Sequence, residues 1–463
     1  MLPTALSSCT LSATMRAFRI LICQIVLATA APLALARTVL IPIGSSGDVH
    51  PLLGLGVRLQ QRGHDVTVIT NPQFEPLVGS LELDFRPLGT VDDYHEISGN
   101  PDLWHPLRGF KLVARWGMLR TMEPIYDYLQ ELYEPGNTVV ASQITAFGAR
   151  IAHEKLGVPL ATVNLQPAVL RSVYRTPTLP PMLTGRRTPR FLKRLQFYLA
   201  DRLMADPVLA SETNRFRAEL ELPPVRRLLD EWWSSPQRVI CLFPDWYAPP
   251  QPDWPPQTVL CGFPLWDESD TLEVPREVAA FLNAGDPPLV FTPGSAMKHG
   301  AAFFRTAVEA CQQLNRRGIL LTRYPEQLPN NLPEDIVHFD YIPFSLVLPR
   351  AAALVHHGGI GSTAQALAAG IPQLIMPMAH DQFDNAARVQ HLGVGAAVQR
   401  KEFLARSVVP ALSTLLKSAD VFENCGSIKA HFAEGDPLGA AALEIEKLVG
   451  QDGGRYPETV SSR

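Results

Sequence analysis

The sequence predicts an α/β protein built from two doubly wound, Rossmann-like domains that face each other across a cleft. Three observations predict it. Residues 38–70 run strand, glycine turn, helix, strand; residues 287–393 repeat that alternation several times; and a proline-rich stretch separates the two runs. Strands that alternate with helices in this way pair in parallel through right-handed crossovers. Sheets of that kind take ligands beyond the carboxyl ends of their strands.

Taken in order, 39–43 is a short buried-type strand, 44–47 a glycine turn, and 52–61 a helix with Leu52, Leu55 and Leu59 on one face. Gly63 ends that helix, and the alternating run 66–70 is the second strand. Further strands are expected at 138–141 and 160–163, with a helix over 147–156 between them. The stretch 244–267 holds Pro249, Pro250, Pro252, Pro255 and Pro256, too many prolines for regular elements and suited to a stiff, extended connection. Beyond it come a strand at 289–292, a helix over 303–315 stopped by Gly318, and strands at 319–322 and 352–355. A helix over 361–369 closed by Gly370, a strand at 371–376 and a helix over 383–392 closed by Gly393 complete the pattern. The expected division is an N-terminal domain over 38–265, a linker over 266–286, a C-terminal domain over 287–450 and a flexible tail over 451–463.

Composition narrows the partners. Length alone, 463 residues, allows about two to four domains. Lys plus Arg number 41 against 45 Asp plus Glu, a net charge of −4 that is too balanced for a protein that tracks nucleic-acid phosphates. No nucleic-acid partner is expected, and the ligand is small. With 46% hydrophobic and 19% charged residues the chain is globular rather than disordered. Cys9, Cys23, Cys241, Cys261, Cys311 and Cys425 lie far apart with no C-x-x-C pair, which favours reduced thiols over a zinc cage or a disulfide scaffold.

The first 37 residues stand apart. Arg16 and Arg19 precede the apolar run 20–33, which ends in Ala34-Leu35-Ala36, a small-residue cleavage pattern. A signal peptide or a short anchor fits this stretch, although 20–36, with Pro32 inside it, is at the short limit for spanning a bilayer. The plain alternative is a start codon placed too early, with translation beginning near Met15 or later.

Chemistry concentrates at strand ends. Gly44-Ser45-Ser46-Gly47-Asp48-Val49-His50-Pro51 follows the first strand. It is not G-x-G-x-x-G, and Ile69-Thr70-Asn71 supplies no acid where a dinucleotide ribose would need one, so a dinucleotide is not expected. The turn instead sets Asp48 and His50 at the cleft mouth, where either can take a proton from a hydroxyl. Helix capping by Asp48 is the competing explanation. His356-His357-Gly358-Gly359-Ile360-Gly361-Ser362-Thr363 ends another strand and opens a helix. Glycines permit close approach, free amides and the helix dipole attract an anion, and a diphosphate fits there. His357 can add a hydrogen bond to a phosphate oxygen, with Ser362 and Thr363 as hydroxyl donors; a tight turn around two buried imidazoles is the alternative. Gly294-Ser295 and Asp381-Gln382 sit at equivalent strand ends, the latter pairing a carboxylate with an amide as adjacent sugar hydroxyls require. Helix capping is the alternative for each. Tyr341-Ile342-Pro343 offers an aromatic for a nucleobase. Metal-ligand spacing is absent from the sequence, as are G-x-S-x-G and Walker-type loops.

These residues carry a resemblance. The run from His356 through Gly370-Ile371-Pro372 to Asp381-Gln382-Phe383-Asp384-Asn385 resembles the donor-binding signature of GT-B nucleotide-sugar glycosyltransferases. Gly44 to Pro51, followed by Arg62-Gly63-His64-Asp65-Val66, resembles their acceptor-domain motif. More narrowly, Pro101-Asp102-Leu103-Trp104, Glu123-Pro124-Ile125-Tyr126, Arg150-Ile151-Ala152-His153-Glu154-Lys155, and Cys241-Leu242-Phe243-Pro244 with Gly262-Phe263-Pro264-Leu265 resemble the catalytic rhamnosyltransferase subunits of rhamnolipid synthesis. The resemblance covers about residues 38–450. It implies an inverting, metal-independent hexosyltransferase without a cofactor, its co-substrate a dTDP- or UDP-sugar such as dTDP-rhamnose. It implies that Ser295, His357, Gly359, Gly361 and Ser362 hold the diphosphate, Tyr341 and Ile342 the base, and Asp381 and Gln382 the sugar, with Asp48 as general base. The plant-type pattern has a catalytic His and a Trp over the base. Here Tyr341 stands at the stacking position, and whether His50 assists Asp48 is open.

The acceptor implied is a hydrophobic hydroxylated molecule such as a 3-(3-hydroxyalkanoyloxy)alkanoate, giving mono-rhamnolipid, or alternatively a sterol or polyketide. Trp104, Phe110, Trp116, Met118, Met122 and Tyr126 are the candidates to line its site, with core packing as the plain alternative. The segment 186–202 interleaves Arg187, Arg190, Lys193 and Arg194 with Phe191, Leu192, Leu195, Phe197 and Tyr198. Either it lies on a membrane surface or it covers the core with its charges solvated. The expected location is cytoplasmic, with attachment to the inner face of the inner membrane. A sugar-nucleotide epimerase and a catalytically silent nucleotide-sugar-binding partner are the competing functions.

Overall fold

The computed structural model describes residues 35–105, 108–185, 187–268, 275–433 and 435–453. The leader or anchor expected over 1–37 lies outside the described residues up to 34, and the tail expected over 451–463 lies outside them from 454. Strands β1 (Arg37–Ile41), β2 (Asp65–Thr70), β3 (Asp84–Pro87), β4 (Thr138–Gln143), β5 (Leu160–Asn164), β6 (Arg238–Cys241) and β7 (Thr258–Leu260) form a seven-stranded sheet in the order β3-β2-β1-β4-β5-β6-β7. A six-stranded sheet takes β8 (Leu289–Thr292), β9 (Gly318–Leu321), β10 (Ile336–Phe339), β11 (Ala353–His356), β12 (Gln373–Ile375) and β13 (Gly395–Ala397) in the order β10-β9-β8-β11-β12-β13. Every pairing in both sheets is parallel. Each sheet therefore reverses its winding once, between β1 and β4 and between β8 and β11. Ile41 lies opposite Ser142 and His356 opposite Thr292, so the loops leaving each pair open side by side. These reversals are where such sheets bind ligands.

The helices that matter to the site are α1 (Ser46–Gln61), α2 (Phe147–Leu156), α3 (Arg190–Ala200), α4 (Ala301–Leu314), α5 (Ile360–Ala369), α6 (Gln382–His391) and α7 (Pro437–Glu446). α1 buries Leu52, Leu55 and Leu59 as expected but begins at Ser46 rather than 52. Ser45 and Asp48 bond to one another at its start and draw it back, despite Pro51, whose missing amide leaves one helix bond unmade. Leu52 and Leu55 are fully buried, and truncating either to Ala would cost about 2–5 kcal/mol.

Three boundaries differ from expectation. The proline-rich 244–267 contains β7, an edge strand that hydrogen-bonds on one side only and follows Pro255 and Pro256 instead of containing them. The linker 266–286 holds a helix, Arg276–Asn283, whose Val278 and Leu282 join Val290, Ile319 and Leu354 in the C-terminal core. Finally α7, expected within the C-terminal domain, packs against α1 in the core of the N-terminal sheet. Arg62 grips Glu446 through two bonds of 2.6 and 2.7 Å, and His64 lies 2.9 Å from the same carboxylate. Cys241, Cys311 and Cys425 are buried free thiols, and Cys261 is a partly buried one. Cys9 and Cys23 lie outside the described residues.

α3 turns the opposite way from a covering helix. Lys193 and Phe197 point inward, while Phe191, Leu195, Tyr198 and Leu199 are exposed. No described helix is long and apolar enough to cross a membrane.

Candidate active site

The turn after β1 is built around one carboxylate. Gly44 adopts φ 140°, and a Cβ there would lie 2.3 Å from Asp48 Oδ2, so only glycine fits. The backbone N–H of Ser45 (2.9 Å) and its hydroxyl (3.1 Å) both donate to that oxygen, leaving Oδ1 for another donor. Asp48 thus caps α1 and lines the cleft at once. Burial pushes its carboxyl above the usual range, and the two bonds from Ser45 restrain the rise. Gln143 on β4 holds the turn in place: its Oε1 accepts from the Ile43 amide at 2.7 Å and its Nε2 donates to the Asp48 carbonyl at 3.0 Å. The sequence reading missed Gln143, though an amide in a wholly buried strand was the available signal.

His50 follows two residues later, about half a helical turn, and so faces away from Asp48, to which it makes no hydrogen bond among the described residues. Its Nε2 lies 3.4 Å from Glu268 and its ring sits edge-on to Trp266 at 5.7 Å. Burial, aided by the charge of Arg323, lowers it to about 4, so the imidazole is neutral at pH 7.

The adjacent histidines after β11 part company. His356 is fully buried; its Nδ1 accepts from the Gly358 amide at 3.2 Å, so Nε2 carries the proton and donates to Gln373 at 3.0 Å. His357 lines the cleft, and its buried Nδ1 has no partner among the described residues. Burial lowers it to about 4, again a neutral ring. Gly294, at φ 104°, and Gly359 make room for this imidazole, since a Cβ on either would lie 2.8 or 2.6 Å from it. Gly359 is the N-cap of α5, with Gly361 and Ser362 in the first turn, so unpaired amides point at the same space. Thr363, expected as a hydroxyl donor, is buried and spends its hydroxyl on the Gly359 carbonyl at 3.0 Å. Ser295, in the loop after β8, is exposed on the cavity wall.

Asp381 precedes α6. Burial, then the charge of Asp48, raises it to about 7, which places two carboxylates from opposite domains within electrostatic reach. A buried amide sets this corner: Asn385 Nδ2 donates to the Gly358 carbonyl (2.9 Å) and to Asp381 (2.7 Å), while its Oδ1 accepts from the Tyr247 hydroxyl (2.9 Å). Gln382 is buried, and its carbonyl oxygen accepts from the amides of Met378 and Ala379 at 2.8 and 3.2 Å, leaving only its NH₂ for a ligand. His380 donates to the Leu103 carbonyl at 3.0 Å and lies against Trp104, clasping the two domains together. Neither Asn385 as an organiser nor His380 was foreseen, because both act through residues distant in sequence.

Tyr341 donates to the Asp267 carbonyl at 3.0 Å, and the guanidinium of Arg323, also unforeseen, lies 5.2 Å from its ring centre. Asp267 in turn accepts from the Ser345 amide at 2.8 Å and hydroxyl at 3.1 Å. The Ile342 side chain belongs to the core, so only its main chain can meet a base.

All the expected site residues, Asp48, His50, Ser295, Tyr341, Ile342, His357, Gly359, Gly361, Ser362, Asp381 and Gln382, line one cavity of about 770 Å³ between the two sheets. Its N-terminal wall is apolar, with Ile97, Trp104, Val113 and Trp116. Arg120 stacks on Trp116 at 4.2 Å and pairs with Asp93 at 3.0 Å. Met118, Met122 and Tyr126 sit in the core behind that wall, with Phe110 packed against them.

Residues 38–175 match the family model "Glycosyltransferase family 28 N-terminal domain", and 318–441 match "Erythromycin biosynthesis protein CIII-like, C-terminal domain". The chain is 30% identical over 403 residues to the O-mycaminosyltylonolide 6-deoxyallosyltransferase of Streptomyces fradiae, covering 81% of this chain and 90% of that protein. It is 28% identical over 410 residues to the Sterol 3-beta-glucosyltransferase UGT80A2 of Arabidopsis thaliana, covering 82% of this chain and 60% of that one. Among solved structures, the glycosyltransferase of kitacinnamycin superposes with a TM-score of 0.71 at 18% identity, over 90% of this chain and all of the other.

Proposed function

The chain belongs to the nucleotide-sugar glycosyltransferases of the GT-B fold, and on that premise we propose that it moves one sugar, with inversion, to a hydroxyl of a hydrophobic small molecule. The observation that carries the reading is the meeting, in one cavity, of the carboxylate of Asp48 with the Nδ1 of His357, unpartnered among the described residues, and the open first turn of α5.

In this reading Asp48 Oδ1 takes the proton of the acceptor hydroxyl, and the freed oxygen attacks the anomeric carbon. The bond from that carbon to the diphosphate oxygen breaks, and the nucleoside diphosphate leaves with the electron pair. The amides of Gly361 and Ser362, the hydroxyls of Ser295 and Ser362, and His357 would stabilise the charge that develops on it, with no metal needed. Asp381 and the NH₂ of Gln382 would hold sugar hydroxyls. Tyr341 would stack on the base, and the Ile342 main chain would bond its edge. The neutral, turned-away His50 shapes the wall instead of relaying a proton.

For the finer identity we propose a dTDP-sugar donor, with rhamnose foremost, and a 3-(3-hydroxyalkanoyloxy)alkanoate acceptor at the cytoplasmic face of the inner membrane. The motifs around Trp104, Tyr126 and Phe263 support this, and the apolar wall of Ile97, Val113 and Trp116 suits an acyl chain. A polyketide or sterol acceptor is the second reading, favoured by the acceptors named for the two relatives above. Mass spectrometry of products from the full chain decides between them, with dTDP-rhamnose, dTDP-glucose and UDP-glucose offered against a hydroxyalkanoyl ester, a sterol and a macrolactone. Mono-rhamnolipid is the expected product. A glycosylated sterol or macrolactone alone would replace the acceptor, and intact donors throughout would return the chain to a silent binding partner.

A further inference from the structure

The segment from α3 into the turn after it presents an apolar stripe that the fold leaves uncovered. Phe191 (66% exposed), Leu195 (48%), Leu199 (43%) and Leu203 (70%) recur every fourth residue, and Tyr198 widens the stripe. Contiguous apolar surface of this kind is uncommon on a soluble protein and marks a contact site. Along the segment 187–205 the exposed charges have one sign. Arg187, Arg190, Arg194 and Arg202 are exposed, whereas Asp201, the only acid between 187 and 205, is buried and paired with Arg171 at 2.7 Å. Lys193 is buried behind the stripe. Arg190 lies over the ring of Tyr174 at 4.1 Å, which extends the mixed cationic and aromatic surface beyond the helix.

From this arrangement we infer that α3 is a docking surface for an anionic lipid bilayer, lying in the plane of the headgroups with its stripe inserted and its arginines on lipid phosphates. Aliphatic and aromatic side chains on one face with a cationic border are what interfacial helices require, and each arginine near an anionic surface adds attraction. A second copy of this chain fits poorly, because a twofold interface would set this cationic face against itself. The inference deepens the membrane-side part of the proposed function. It is tested without donor or acceptor, so a failed transfer assay and a failed lipid assay are distinguishable.

The test is sedimentation of the full chain with vesicles of phosphatidylcholine alone and of phosphatidylcholine with phosphatidylglycerol. Three proteins are compared: wild type, Phe191→Ser/Leu195→Ser/Leu199→Ser, and Arg190→Glu/Arg194→Glu. All five side chains are exposed, so the fold is not at stake, and an unchanged Tm checks this. Wild type should partition to the anionic vesicles, with at least about a tenfold loss on neutral vesicles and in each variant. Equal binding by the triple variant, or no binding by wild type, overturns the inference. So does sedimentation equilibrium that finds a wild-type dimer which the triple variant dissociates, since the stripe would then belong to a second copy.

Discussion

The strand-end turns of the two domains occupy equivalent places in similar sheets yet treat their polar groups in opposite ways. After β1, the polar groups are satisfied locally: Asp48 takes two bonds from Ser45, its carbonyl takes one from Gln143, and His50 rests against Glu268. After β11, the groups facing the cavity are left open: His357 Nδ1 lacks a partner among the described residues and the first amides of α5 point into space. A buried polar atom without a partner is costly. Its persistence beside the open amides supports the proposal that this turn is completed by a ligand rich in acceptors. On the other side the surroundings hold a single carboxylate in place and burial raises its proton affinity, which suits the general base proposed for it.

The largest effect expected from breaking this contrast is at the satisfied turn. Asp48→Asn can keep the Ser45 bond through its amide oxygen, so the fold and donor binding should survive while kcat falls about 10²- to 10⁴-fold. Steady-state kinetics beside donor calorimetry check this; near-normal turnover would remove Asp48 from the role. Next is the buried amide that organises the open turn. Asn385→Ala strands the Gly358 carbonyl and the Tyr247 hydroxyl and should cost about 2–5 kcal/mol in chemical denaturation, with a raised donor KM.

The paired histidines sharpen the comparison within one turn. His357→Ala should weaken donor binding about ten- to a hundredfold with little change in Tm, the loss of one hydrogen bond to a charged oxygen. His356→Ala should do the reverse, costing about 1–3 kcal/mol of stability by stranding buried Gln373. If both variants lose affinity alike, the division of labour drawn from burial fails.

The two domains also meet electrostatically. Asp381 binds its proton more tightly in the folded protein, up to about 7, than its ordinary 3.8, so its ionisation costs stability progressively as pH rises through that window. The charge of Asp48 contributes to that rise. Asp381→Asn should therefore flatten the loss of Tm between pH 4 and 7, and Asp48→Asn should flatten it in part. An Asp48→Asn variant that keeps the wild-type Tm profile would show that the two carboxylates do not couple. The smallest effect belongs to His50→Gln, less than about tenfold in kcat, because a neutral ring without a bond to Asp48 relays nothing.

Much of this was legible in the chain itself. Periodicity found both parallel sheets, and the glycine turns fell at strand ends, because both signals depend on neighbours within a few residues. The candidate residues were found for the same reason: strand-end turns open onto the cleft in any doubly wound sheet. Of three errors, two have the converse cause and the one at Thr363 is local. α7 was assigned to the wrong domain because its partners, Arg62 and His64, lie far away in sequence. Thr363 was read as a ligand donor although the carbonyl of Gly359 already occupies it. Met118, Met122 and Tyr126 were candidates for the acceptor wall, yet only Trp104 and Trp116 of that set reach the cavity.

The sequence by itself determined the doubly wound architecture, the two turns and the chemical kinds of group they carry, since these follow from local pattern and backbone sterics. Only the tertiary structure decided which of two adjacent histidines faces the cavity, that Asp48 and Asp381 approach from opposite domains, that Asn385 ties the donor turn to Tyr247, and that α3 wears its apolar stripe outward. Each of those depends on which distant surfaces exclude water from a given atom, and burial of that kind is a property of the assembled fold.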